Sequence, residues 1–349
     1  MKRSCTVKAG IGKGLIAGLV SIAAAGMAGA QGNSNNANNG NGASNPNLPA
    51  GALPTSWDPT YNVCRGVDPG CYHDWVGAEN RQNKVLIYTR TAGPRHANIG
   101  NRMVAGRNPP LNSTHVLQNA LIAWLAAEGV TADWTEDVTQ LSNLSQYKAV
   151  IFASNSRDAL WAHGRAIDPT LAVNTATSAY LDAAKVNLRQ YMRAGGGFVA
   201  IHNAFGTEYN WPWYEGLLGN ANYYDHGANQ PGTVQVVSPN DPSTAGLPIR
   251  WDFADEWYNL VPFPTNVKFL ATVDENTLAT QRSTHPGHGR FHPVAWCQYY
   301  DGGRAWLTTL GHDARAFTDG SGFNGQAQFK QMIVNGIKSA MGLTPFCTK

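Results

Sequence analysis

From Lys84 onward, short apolar runs alternate with segments of helical period, and this alternation restricts the chain to a parallel sheet covered on both faces. Lys84–Thr89 (KVLIYT) is a run suited to a buried strand. Val116, Leu117, Ala120, Leu121, Trp124 and Leu125 then recur at helical spacing, with Ser113 placed to cap that helix. Further strands are expected at Val130–Trp134, Ala149–Ala153 and Phe198–His202. A helix over Ala179–Arg193 ends at Gly195-Gly196-Gly197. Later strands are expected at Thr233–Val237, Val267–Thr272, Val294–Tyr299 and Ala305–Thr309, with a closing helix over Gly325–Met341. No internal repeat is present, so residues 83–345 read as one α/β domain.

The segment before that domain is of a different kind. Lys2, Arg3, Lys8 and Lys13 precede the apolar stretch Leu15–Ala30, and Ala28-Gly29-Ala30 offers small residues for cleavage. Residues 1–30 therefore read as a signal peptide. The apolar run falls short of the about 20 residues that span a bilayer, and no later segment is long and apolar enough to do so. Residues 31–53 are rich in Asn, Gly and Ser and read as a disordered linker. Residues 54–82 hold Cys64 and Cys71 and read as a small extension. Without the signal, 22 basic residues face 23 acidic ones, so the apparent basicity is no indication of nucleic acid. Cys5 leaves with the signal. The four remaining cysteines of an exported chain read as two disulfides, for which three pairings exist. Cys64 with Cys71 is the local choice and leaves Cys297 with Cys347. The expected location is the periplasm or the medium.

In an open parallel sheet, ligands bind beyond the carboxyl ends of the strands. His202 ends one expected strand, His312 follows another, and Arg95 and His96 follow the first. His226, the run Asp255-Glu256-Trp257-Tyr258 and His292 are expected in connecting loops. A neutral imidazole can move a proton or bind a divalent metal, so His202, Glu256 and His312 are the candidate catalytic groups. His202, His226, His292 and His312 are the candidate metal ligands, beside Glu256. His285, His288 and His292 in THPGHGRFH also have metal-like spacing, in a Gly- and Pro-containing loop. A divalent metal is the one cofactor the residues suggest. Trp213, Tyr214, Trp257 and Tyr258 flank the polar groups, and their flat faces suit pyranose rings.

The segment GGGFVAIHNAFGTEYNWPWYEGLLG (195–219), followed by DEWYNL (255–260), HPVAW (292–296) and GGRAWLTTLGH (302–312), resembles the ThuA-like, trehalose-utilisation family. The resemblance runs in order from about Lys84 to Gly342. It implies a class I glutamine amidotransferase-like fold, a flavodoxin-like three-layer sandwich with a mostly parallel central sheet flanked by helices. Amidotransferases of that fold carry a nucleophilic Cys after a central strand, whereas Ile201-His202-Asn203 stands at the corresponding turn, so that activity is excluded. The resemblance implies instead a hydrolase or lyase acting on 3-keto glycosides or disaccharides, in a pathway with a sugar dehydrogenase. His202 with Glu256 or His312 would then supply acid and base, and Arg95, His96, Trp213, Tyr214, His226, Asp255, Trp257, Tyr258 and His292 would bind substrate. The alternative is a non-catalytic carbohydrate-binding or scaffold module. Two departures stand out: Pro94 in Gly93-Pro94-Arg95-His96, where relatives have a Gly-Phe-Arg-His-like run, and no Pro after His226.

Overall fold

The computed structural model describes residues 56–75, 77, 81–160, 178–280 and 284–348, with the backbone alone for 178–182. The expected signal peptide with Cys5 and the linker 31–53 lie outside the described residues. The strands are β1 (Trp57–Asp58), β2 (Val63–Gly66), β3 (Lys84–Tyr88), β4 (Thr131–Thr135), β5 (Ala149–Ala153), β6 (Gly197–Ile201), β7 (Tyr223–His226), β8 (Gln230–Val236), β9 (Arg250–Asp255), β10 (Tyr258–Leu260), β11 (Lys268–Asp274), β12 (His292–Tyr300) and β13 (Gly303–Thr308). The helices are α1 (Val116–Ala127), α2 (Ser178–Arg193), α3 (Pro212–Leu217) and α4 (Gln326–Ala340).

The main sheet runs β4-β3-β5-β6-β13-β12-β11-β8-β9. It is parallel from β4 through β13. From β13 to β9 it is antiparallel. The reason lies in the connections: helices separate the early strands, whereas β12 and β13 are joined by Asp301-Gly302 alone, both at positive φ (46° and 93°). Asp-Gly at two positive φ values is the favoured two-residue hairpin connection. The parallel half has the order in which the first strand lies between the second and third, so the chain reverses its winding between β3 and β5.

Strand residues alternate between two cores. Val85, Ile87, Ile151, Val199 and Ile201 face α1 and α4, against Leu121, Trp124, Phe329 and Ile333. Leu86, Tyr88, Val150, Phe152 and Phe198 face the other way, against Leu188, Tyr191, Met192, Tyr214 and Leu217. Burial on both sides is what made these strands continuous apolar runs. Helix α1 begins after His115 with no side-chain cap, so Ser113 does not take the capping place expected for it.

Both disulfides form with the local pairing, Cys64–Cys71 and Cys297–Cys347. The described part of the extension is a β1–β2 hairpin that adds to β12. Arg65, 2% exposed, fixes it there with bonds to Asp58 (2.6 Å), the Thr265 carbonyl (2.8 Å) and Gln298 (3.1 Å). Among the described residues, no helix is long and apolar enough to cross a membrane.

Candidate functional site

Four chain segments meet at the carboxyl edge of the parallel strands. β6 stops at Ile201, and His202 turns the chain at a φ of 54°, a left-handed value that a side chain adopts at some cost. His202 is fully buried, and its Nδ1 donates to the Thr309 carbonyl at 2.9 Å. That bond turns its Nε2 toward His96 Nε2 at 3.1 Å and the Tyr258 hydroxyl at 2.9 Å. His96 comes from the loop after β3, and His312 from the loop after β13. Glu256 lies between β9 and β10, and its Oε2 is 3.1 Å from His312 Nδ1, 3.7 Å from His202 Nε2 and 3.9 Å from His96 Nε2. One ligand atom from each of His96, His202, Glu256 and His312 lies within 4.8 Å of every other. This set is able to hold a divalent cation. His226, at the end of β7, reaches Glu256 at 3.5 Å and stands beside the set.

Asp255 supports this arrangement from behind. It is fully buried and accepts from the backbone N–H of Gly311 (2.7 Å), Glu256 (2.8 Å) and His312 (3.2 Å). One carboxylate thus fixes the two turns that carry Glu256 and His312. Burial raises the Asp255 carboxyl to about 7, against the lowering effect of those donors. Burial also raises Glu256, but its contacts with His312 and His96 and the charge of His202 bring it below the usual carboxylate range. His202 is pushed well down, by burial first and then by His96 and His312. Burial lowers His312, and the neighbouring Glu256 more than reverses this, so its net shift is upward.

His96, His226, Glu256 and Tyr258 line a cleft of about 290 Å³ together with Ser156, Arg157, Asn203, Tyr209 and Tyr223. Sequence reasoning missed these last five. Ser156 and Arg157 follow the apolar run AVIFA, a strand-end position that was legible in advance.

Several expected site residues lie elsewhere. Trp213 and Tyr214 sit in the core on one face of the sheet, where Trp213 donates to Asp301 and Tyr214 to the Ala204 carbonyl. Trp257 is buried in the opposite core and donates to the Gln230 carbonyl. None of the three offers a ring face to a sugar, because each packs against apolar neighbours on α3 or the antiparallel strands. Arg95 is spent on Glu136 (2.6 Å) and on the carbonyls of Ile99, Gly100 and Asn101. It shapes the loop that carries His96. His292 is buried between Glu275 (2.7 Å) and the Tyr258 carbonyl (2.9 Å), outside the converging set. His226, Asp255, Tyr258 and His292 lie in strands rather than in the expected loops, and Glu256 and Trp257 bridge β9 and β10. His202 is fully buried and does not line the cleft, which it meets only through His96 and Tyr258.

A family model described as ThuA, trehalose utilisation, matches residues 84–340. Among solved structures, a ThuA-like protein from Bacteroides uniformis aligns with a TM-score of 0.51 at 20% identity, over 74% of this chain and 91% of that one. A ThuA-like protein from Parabacteroides merdae aligns with a TM-score of 0.50 at 17% identity, over 75% and 90%. At such identities the likeness speaks for the fold. A search of curated proteins returns no match.

Proposed function

Because the chain belongs to the ThuA, trehalose-utilisation family, we propose that its cleft binds a glycoside or disaccharide oxidised to a 3-keto sugar and cleaves it as a lyase or hydrolase. The observation that carries this reading is the convergence of His96, His202, His312 and Glu256 at the strand ends, beside a cleft that also holds His226. A ketone at C3 makes the C2 proton acidic, and the C1 substituent then lies β to the carbonyl. His226 would take that proton: its Nδ1 donates to the Gly227 carbonyl at 2.5 Å, which leaves the Nε2 lone pair on the cleft side near Glu256. The C2–H pair becomes the C1–C2 double bond, the C1–O bond breaks, and His226 returns the proton to the departing oxygen. Water adding across the new double bond would turn elimination into hydrolysis. Charge gathered on the keto oxygen would face the histidine–glutamate set and the Tyr258 hydroxyl.

The cleft volume stands at the small end of the about 300–1,000 Å³ usual for small-molecule sites, which suits one sugar ring. Two disulfides support work outside the cytoplasm. The substrate would be supplied by an oxidoreductase that converts the 3-hydroxyl to a ketone. A flat aromatic platform, which a purely carbohydrate-binding module would use, is not supplied by Trp213, Tyr214 or Trp257, all of them buried.

The test is an NMR time course of the purified protein with disaccharides in native and 3-keto form, with divalent metal supplied. The 3-keto form alone should be consumed, and His226→Ala should slow this about 100- to 10,000-fold. An unchanged 3-keto substrate would overturn the reading.

A further inference from the structure

We infer that His96, His202, His312 and Glu256 form a mononuclear centre for a divalent transition-metal ion of the zinc class, with one side open to the cleft. Four ligands held about 2.0–2.1 Å from a tetrahedral zinc stand about 3.3–3.4 Å apart. The separations of 3.1 Å for His96–His202, 3.1 Å for His312–Glu256, 3.7 Å for His202–Glu256 and 3.9 Å for His96–Glu256 bracket that value, and the other two pairs lie within 4.8 Å. Three imidazoles with one carboxylate suit zinc, cobalt, iron or manganese rather than calcium or magnesium, which take oxygen ligands.

Two further observations point the same way. The Thr309 carbonyl holds His202 Nδ1–H, an outer contact of the kind that fixes the tautomer of a metal-bound histidine and presents Nε2 to the ion. Asp255 and Glu256 are adjacent carboxylates, one fully buried and one with a side chain 14% exposed. No lysine or arginine pairs with either among the described residues; the partners are His96, His202, His226 and His312. Buried charges are paired or bind metal, and a divalent ion would supply the missing positive charge.

The four ligands fill a tetrahedron, and the cleft leaves room for a fifth. His96 and Glu256 line the cleft while His202 seals the inner side, so a further ligand can approach the ion from the cleft. A substrate oxygen entering as that fifth ligand would be polarised by the ion. His226 and Tyr258 lie outside the set and stay available for proton transfer.

The inference rests on the converging side chains and not on the identity of the sugar, and its test needs no substrate. The protein is stripped with a chelator, then titrated with cobalt(II) and with zinc, while the visible cobalt spectrum and the bound metal are measured. One equivalent should bind, with the spectrum of cobalt on nitrogen and oxygen ligands. Affinity should fall in the double variant His96→Ala/His312→Ala by more than the about 10–100-fold that loss of an outer contact costs. It should be retained in His288→Ala, which alters a separate histidine group. Circular dichroism checks that the double variant folds; should it not, Glu256→Gln at the cleft wall gives the same reading. A wild-type protein that takes up no stoichiometric ion would overturn the inference. So would binding that survives the loss of these ligands.

Discussion

Among the described residues, two groups of three histidines and one glutamate both touch Tyr258. Its hydroxyl meets His202 of one group, and its carbonyl accepts from His292 of the other. In the first group, His96, His202, Glu256 and His312 come from distant parts of the chain and turn ring nitrogens and a carboxylate oxygen toward one point. In the second, His285, His288 and His292 lie within eight residues with their rings in contact, and Glu275 meets His288 and His292. There the nitrogens are spent on the fold: His285 Nδ1 accepts from Gly287 N (3.0 Å), His288 Nε2 from Leu260 N (2.9 Å), and both nitrogens of His292 face oxygens. Glu275 accepts from the backbone of His288 and Gly289 as well. The difference teaches that spacing along a chain does not make a ligand set. What makes one is the convergence of ring nitrogens from separate segments on a shared carboxylate, with His202 fixed from outside by the Thr309 carbonyl.

The sharpest way to break this comparison is to change the glutamate in each group. Glu256→Gln removes the one carboxylate that faces all of His96, His202, His226 and His312. Turnover of a 3-keto disaccharide should fall about 100- to 10,000-fold, within the range that a positioned proton-transfer or charge-bearing group contributes. Glu275→Gln should leave kcat close to wild type and lower the melting temperature, because it weakens bonds that hold only the 288–292 turn. Equal losses of activity in the two variants would mean that the groups act as one.

The two groups also show what was legible in advance. Strands β3, β5, β6 and β13 were readable because burial on both faces makes each a continuous apolar run, and strand ends then pointed to His96, His202 and His312. Strands β7 and β10 were not, since YYDH and YNL are short and polar and owe their structure to pairing with each other. Strand β9 was legible but overlooked: in RWDFAD, Arg250 and Asp252 face solvent while Trp251 and Phe253 are buried. The Asp301-Gly302 hairpin signal was likewise present. Glu256 was grouped with His202 and His312 in advance, but His96 as their fourth member was not, because that depends on how β9 and β10 bring the 255–258 run over the strand ends. THPGHGRFH invited a metal reading for the opposite reason: its spacing was visible, whereas its hydrogen bonds were not. Pro94 did not displace His96, which Arg95 anchors through three carbonyls and Glu136.

A smaller effect should follow from Asp255→Asn. Asparagine offers one oxygen to the three backbone donors that Asp255 serves, so the turns carrying Glu256 and His312 would loosen. Metal affinity should fall about 10–100-fold, as for other outer contacts, with the cobalt spectrum broadened rather than lost. No change in affinity would mean that Glu256 and His312 are held by their own loops.

The smallest effect concerns pH, and it separates the groups without touching activity. Burial, with His292 and His285 nearby, lowers His288 from an ordinary 6.5 to about 4, against the opposing charge of Glu275. Between those values the unfolded chain takes up a proton that the folded protein does not, so stability is full above pH 6.5 and declines as pH falls toward 4. His288→Gln should flatten the urea midpoint across that window while kcat stays unchanged. Glu275 acts lower down: burial raises it, but His292 and two backbone donors bring it from an ordinary 4.5 to about 2, so its contribution is lost only as pH falls through that range. A variant that lost activity with its pH dependence would tie the 285–292 turn to the cleft through Tyr258. A flattened profile at constant kcat would establish that this histidine-rich loop stabilises the fold alone.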